Sequence, residues 1–332
     1  MIFFLMCAAF ALFPEKVLYG AGNGLALCLN AVIPSLLPFM VVSGCIIKSR
    51  FARPLGSLLS KIISPITGMS SAGCVCFVTG LVGGYGAGAR AVLDCYRENL
   101  VSKDEAERLL AFCNNAGPLF VIGTVGVGFY GSKSVGVMLF LVQIITAIVC
   151  AKVFSGDFRK KSRIKEEWNL YKKNKPPMGE LVVKSAIESG SAIINASVFI
   201  ILFSALLEVL PFGDYSILGG ILEVTRGCSE MSRQGTDALS FTSAFLAWGG
   251  VSVHLQADAL CMREFRMKRY YMGKLFAAIC AFLITKASGG DINILLFMAT
   301  ITVSVLLIWN IIRNLVFQGQ PRQLLFRQRR HS

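Results

Sequence analysis

The sequence predicts an all-α polytopic membrane protein with about eight transmembrane helices and two re-entrant hairpins, set in two inverted repeats. Three observations lead there: 55% of the residues are hydrophobic, only 16% are charged, and those charges crowd into a few short stretches. Soluble domains carry about 25% charged residues. The uncharged runs between the clusters cover residues 17–47, 62–89, 109–132, 134–151, 189–207 and 292–312. Each is long enough to cross, or loop within, a hydrocarbon layer of ~30 Å.

Taken in order, the apolar segments place crossings near 1–14, 31–47, 104–130, 133–153, 183–209, 236–262, 269–287 and 291–312. The first, Met1 to Phe13, lacks a basic flank and a cleavage site, so it reads as a retained helix and not a removed signal. Residues 17–30 and 53–65 read either as helices lying along the interface or as crossings. The basic clusters test the count, because Lys and Arg stay on the cytoplasmic side. Lys48, Arg50 and Arg53, the segment Arg159 to Lys175, the group Arg263, Arg266, Lys268 and Arg269, and the tail Arg313 to Arg330 all share one side if both termini are cytoplasmic.

Two apolar stretches, about 72–90 and 211–232, must then enter and leave on the same side, the first from the cytoplasm and the second from outside. Each half therefore reads helix, hairpin, interrupted helix, helix, in opposite orientations. The boundaries are 1–19 for the first transmembrane helix, 20–154 for the first repeat, 155–180 for a basic cytoplasmic linker near anionic headgroups, 181–288 for the second repeat and 289–332 for the last helix and basic tail. Inverted repeats with interruptions at matching places point to an alternating-access carrier with a midplane site. Irregular backbone survives at that depth only against protein or a wet cavity.

Four places carry candidate chemistry. In the first hairpin Gly80, Gly83, Gly84, Gly86 and Gly88 crowd together before Arg90; they serve either close packing or backbone approach to a ligand, with Gly86 and Gly88 as the binding candidates. Asn114 and Asn115 precede Pro118 inside an apolar segment, where proline opens the helix and frees carbonyls. The two amides either cap those carbonyls or meet a solute. In the second hairpin Glu223, Thr225 and Arg226 bring ionisable groups into the membrane, which marks function by default. Glu223 and Arg226 either pair with each other or leave Arg226 to face a carboxylate beside a half-helix N-terminus. Finally, Gly249 and Gly250 interrupt a helix that carries Ser252, His254 and Gln256; His254 is suited either to proton coupling or to helix packing.

Other classes fall away. A net charge of +14 does not indicate a nucleic-acid surface when the basic residues separate apolar runs. The eleven cysteines include no CxxC pair, which argues against zinc and disulfide frameworks. Gly84, Gly86 and Ala89 mimic a dinucleotide fingerprint without its strand and turn. His254 and Asp258 lie four apart, but no nucleophile motif accompanies them. No enzymatic activity, cofactor or metal is expected.

At these places the chain resembles the YlbJ-type sporulation integral membrane proteins, within the wider nucleoside-recognition or Gate-domain group related to concentrative nucleoside transporters. Arg108 to Gly126 is similar to that family's most distinctive stretch. Gly84, Tyr85 and Ala89 are similar to its first hairpin, and Leu222 to Thr225 with Gly249 to Gln256 to its second half. Order and spacing agree over about residues 20–310. The chain departs from the family at Gly86 and Ala116, where proline is expected, and at Arg226, where an uncharged polar residue is usual. The resemblance implies two Gate-type repeats and a role in endospore formation in the mother-cell membrane around the forespore, with dipicolinate as the solute. Such a flat dicarboxylate needs donors at two ends and an apolar slot between; Arg226, Asn114, Asn115, His254 and Gln256 would supply the donors and the glycines the slot.

The expected function is thus a carrier of a small aromatic anion working by alternating access, with membrane lipids and a proton or sodium as coupling ion for partners. An oligomer is compatible with it. The alternatives are a nucleoside-like solute carrier and a sporulation membrane assembly factor that transports nothing.

Overall fold

A backbone in hydrocarbon must satisfy its own polar groups, so long uncharged runs fold as helices. The computed structural model describes residues 2–154, 177–210 and 217–318, and among these every regular element is helical. Most of the expected linker and the last part of the basic tail lie outside the described residues, as do residues 211–216 at the start of the second hairpin.

Helices α1 (Ile2–Leu12) and α2 (Pro14–Leu27) lead through a π-helical turn at Cys28–Val32 into α3 (Ile33–Lys48). Next, α4 (Ala52–Thr67) meets α5 (Ser71–Gly83) at 89°. The bend is compatible with either reading open for residues 53–65. The first hairpin is α5 and α6 (Ala87–Arg97). Ser70 starts it by accepting a hydrogen bond from the Gly73 N–H at 3.0 Å, an N-cap that satisfies one of the free donors of α5. After α7 (Lys103–Cys113) the backbone leaves the helix at residues 114–117 and resumes as the π-helical α8 (Leu119–Phe129), followed by α9 (Lys133–Phe154).

The second half begins with α10 (Met178–Val209), against which α2 and α3 both pack. The second hairpin is α11 (Ile217–Leu222) and α12 (Val224–Ser232). Then come α13 (Leu239–Trp248), a break at Gly249, α14 (Gly250–Cys261), α15 (Lys268–Ser288) and α16 (Ile292–Gln318). The order helix, hairpin, broken helix, helix occurs twice.

Among the described residues four helical stretches are long and apolar enough to cross a membrane: Lys133–Phe154, Met178–Val209, Thr236–Cys261 and Lys268–Ser288; the bent pair α4 and α5 makes a fifth if counted as one span. Eight were expected. The crossing expected at 104–130 is the split pair α7 and α8, because Pro118 lacks an N–H and the preceding residues leave the helix. The segments expected at 1–14, 31–47 and 291–312 are helical as α1, α3 and α16, with shorter apolar stretches at Leu36–Lys48 and Ile292–Ile308.

Apolar side chains face outward in stripes: Val183, Ile187, Ile194 and Val198 on α10, and Met272, Leu275, Ile279 and Leu283 on α15. Polar side chains such as Asn114, Gln143, Glu223 and Lys274 are buried. That inversion is what a lipid solvent selects, since an apolar exterior is costly only in water.

Candidate functional site

Within each half the hairpin turn lies on the helix break. A Cβ on Gly117 would sit 3.1 Å from the Gly84 Cα, and one on Gly250 would sit 3.2 Å from the Glu223 Cα. A side chain at Gly117 or Gly250 would press on the facing turn. Gly249 and Gly250 also hold φ values of 90° and 80°, a left-handed region that glycine enters without steric cost.

In the first half Asn114 joins the pieces. Its Oδ1 accepts from the Gly86 N–H at 2.7 Å, and its Nδ2 donates to the Tyr270 hydroxyl at 3.3 Å. Its main-chain carbonyl, freed by the break, accepts from the Lys274 Nζ at 2.8 Å. Asn115 takes the local role instead, donating to the Phe112 carbonyl at 2.8 Å, and the Ala116 N–H donates to Gln143 Oε1 at 3.3 Å. Gly88 is a packing residue: a Cβ there, or on Gly80, would collide with the Cys113 carbonyl oxygen. Gly86 differs, since a Cβ there would meet open space.

In the second half Glu223 is the N-cap of α12, accepting from the Arg226 N–H at 2.7 Å. The guanidinium of Arg226 turns elsewhere, donating to Glu230 at 2.7 Å and Glu208 at 2.6 Å. Of the two sequence readings, a side-chain pair between Glu223 and Arg226 is therefore not formed, and Arg226 already holds two carboxylates. His254 hydrogen-bonds through Nδ1 to the Tyr270 hydroxyl at 3.0 Å, while Asp258 accepts from Tyr271.

The two halves also cross. Tyr85, at the first hairpin turn, donates to the Leu246 carbonyl of α13 at 2.6 Å. The second arm of each hairpin packs on the other half's broken helix, α6 on α14 and α12 on α8. Each second arm is also clamped to α10. Arg90 pairs with Asp94, four residues on, at 3.1 Å and with Glu188 of α10, while Lys48 joins Asp94 at 3.6 Å and Glu188. Arg226 repeats the pattern with Glu230, four residues on, and Glu208 of α10. From Glu188 to Glu208 is ~30 Å along the helix at 1.5 Å per residue.

A cavity of about 440 Å³ opens between α2, α10 and the second hairpin, with Glu208, Glu223, Glu230, Arg226 and Arg233 on its walls. A smaller one of about 50 Å³ lies inside, bounded by Tyr85, Gly117, Phe120, Ser252 and Gln256. Glu223 and Thr225 line both, so the tip of the second hairpin is the partition between them. Ser252 Oγ and Gln256 Nε2 are buried there without a hydrogen-bond partner among the described residues. Buried polar atoms are usually paired, so these two are free to bond a water or a bound molecule in the cavity.

The residues expected to act together thus divide. Glu223, Thr225, Ser252 and Gln256 surround the inner cavity. Gly86, Asn114 and His254 belong to a network centred on Tyr270, Arg226 faces the outer cavity, and Gly88 and Asn115 are structural. Sequence reasoning missed Tyr85, Tyr270, Lys274, Glu208 and Glu230. Lys274 had a signal: it is the lone charge between Arg269 and Lys286 in an otherwise uncharged segment. Tyr270 had none.

Compared with known proteins, the chain is similar to the sporulation integral membrane protein YlbJ of Bacillus subtilis. The two are 27% identical over 83% of this chain and 80% of that protein. No family model matches the chain, and no solved structure matches it.

Proposed function

The chain is a YlbJ-type integral membrane protein, and from that premise we propose that it is a sporulation carrier moving a small solute by alternating access between two inverted repeats. The observation that carries this reading is the partition at Glu223 and Thr225. On one side stands a cavity of about 440 Å³, within the range of small-molecule sites. On the other are the buried Ser252 Oγ and Gln256 Nε2, without a partner among the described residues, in about 50 Å³, room for little more than water. In this reading the solute enters the larger cavity, and movement of the second hairpin transfers it to the inner polar groups. The clamps ~30 Å apart on α10 then stand toward opposite faces of a layer of about that thickness.

Dipicolinate, or a similar small aromatic anion, is the solute we favour, in the mother-cell membrane around the forespore. Its carboxylate would replace Glu208 on Arg226, with Arg233 beside it. A nucleoside-like solute is the second reading, favoured by Glu223 at the inner cavity, since a carboxylate accepts from hydroxyl donors.

Uptake of labelled dipicolinate into liposomes holding the purified protein, with a nucleoside as competitor and imposed proton or sodium gradients, tests the proposal. Ser252→Ala and Gln256→Ala are expected to weaken solute affinity on the order of tenfold each. Unchanged affinity in both variants would overturn the inner site, and no uptake by folded protein under any gradient would overturn the carrier in favour of a non-transporting assembly role. The inverted arrangement has its own check: cysteines placed at the exposed Lys103 and Gln234, in a chain lacking Cys7, should react with an impermeant maleimide from opposite sides.

A further inference from the structure

We propose that Lys274 is a built-in cation of this carrier, its ammonium filling at the α7 break the place that a coupling sodium ion takes in carriers with broken helices. The last carbonyls of any α-helix lack partners and form the negative end of its dipole. In transporters built from discontinuous helices, such freed carbonyls and half-helix C-termini coordinate the coupling cation.

Here α7 ends at Cys113, and the first freed carbonyl beyond it, Asn114, receives the Lys274 Nζ at 2.8 Å. The side chain reaches this point because Gly273 lies flat against the last turn of α7; a Cβ on Gly273 would overlap Ala111. The ammonium also stands 5.8 Å from the centre of the Tyr85 ring, within reach of the attraction between a cation and an aromatic face. The residue is 1% exposed, and no carboxylate of the described residues forms an ion pair with it. Its nearest polar partners are the helix end and the ring, groups of the kind a sodium ion would find.

The neighbouring Cys113 carbonyl is covered by Gly80 and Gly88, which leaves the Asn114 oxygen as the open position. With the Lys274 Nζ already on it, the Asn114 carbonyl has no place for a second cation. Transport then runs without sodium, and the hairpin turn at Tyr85 and Gly86 is held to the break by a side chain instead of by an exchangeable ion.

The inference rests on the carrier reading for its meaning, but its test needs no transport. The full chain, purified in detergent, is melted in sodium chloride, choline chloride and methylammonium chloride at equal ionic strength. The wild type should melt at the same temperature in all three. Lys274→Ala should melt several degrees lower in choline and regain most of the loss in sodium or methylammonium, which fit the space vacated. Lys274→Met, which fills that space without a charge, should melt low in every salt. A wild type stabilised by sodium over choline, a Lys274→Ala chain indifferent to the cation, or one recovered folded in none of the salts would each overturn the proposal. Failure of dipicolinate uptake in a parallel liposome assay would sink the carrier reading and leave the salt responses to decide on Lys274.

Discussion

Replacing Asp94 by alanine is expected to lower the stability of the folded chain by about 3–5 kcal/mol, the usual cost of removing one partner from a buried ion pair. Asp94 has a side chain only 4% exposed and lies between Arg90 and Lys48, themselves at 12% and 7%. Without it two buried cations share the single carboxylate of Glu188. Repulsion between them would strain the junction of three elements: the end of α3, the second arm of the first hairpin and α10. The second clamp should respond otherwise. Arg226 and Glu208 are each 26% exposed and border the large cavity, so water screens them and Glu208→Ala should cost within about 1 kcal/mol. Thermal unfolding of the two variants in detergent, against the wild type, measures the difference. Equal effects would mean that both clamps sit in the same environment and that the cavity does not reach Arg226.

Asn114→Ala is expected to cost about 2–4 kcal/mol. It removes the acceptor of the half-buried Gly86 N–H and a donor to the buried Tyr270 hydroxyl. An unpaired buried donor costs ~1–3 kcal/mol, and the hairpin turn loses its side-chain link to the broken helix. Asn114→Asp is the informative comparison. It keeps the acceptor for Gly86 and places a negative charge beside the Lys274 ammonium, so it should unfold at a temperature between those of the alanine variant and the wild type. If aspartate proves worse than alanine, Lys274 is not the neighbouring charge that the geometry gives, and the network around Tyr270 must be rearranged in the membrane.

Much of this organisation was legible in the residues. Asn114, Asn115 and Pro118 announced a helix break, because proline chemistry acts on its own turn whatever surrounds it. Gly249 and Gly250 did the same for the second half, and the doubled glycines take left-handed values there. The hairpins were legible as apolar stretches too short to cross and return. The number of crossings was not, since hydropathy does not distinguish a continuous span from α7 and α8 set end to end around a non-helical gap.

The partners of the candidate residues were less legible still. Arg226 read either as the partner of Glu223 or as an anion site, because Glu230, four residues on, went unweighed and Glu208 belongs to another helix. The repeated spacing of Arg90 with Asp94, and of Arg226 with Glu230, was present in the letters. Its meaning emerged only once α10 supplied the third member to both. Lys274 is separated from Asn114 by 160 positions, and no local pattern links them.

The residues alone, then, were enough to say that the chain is helical, that it belongs in a membrane, and where its helices open. Those properties follow from hydropathy and from the backbone chemistry of proline and glycine, which act over a few residues. Which polar groups are already engaged depended on long-range packing: Arg226 is held by two carboxylates, Gly88 and Asn115 pack and cap at the break, and Ser252 Oγ and Gln256 Nε2 border the inner cavity with no partner among the described residues. Side-chain pairing in a bundle depends on which helices touch, and that is set by packing across the whole chain.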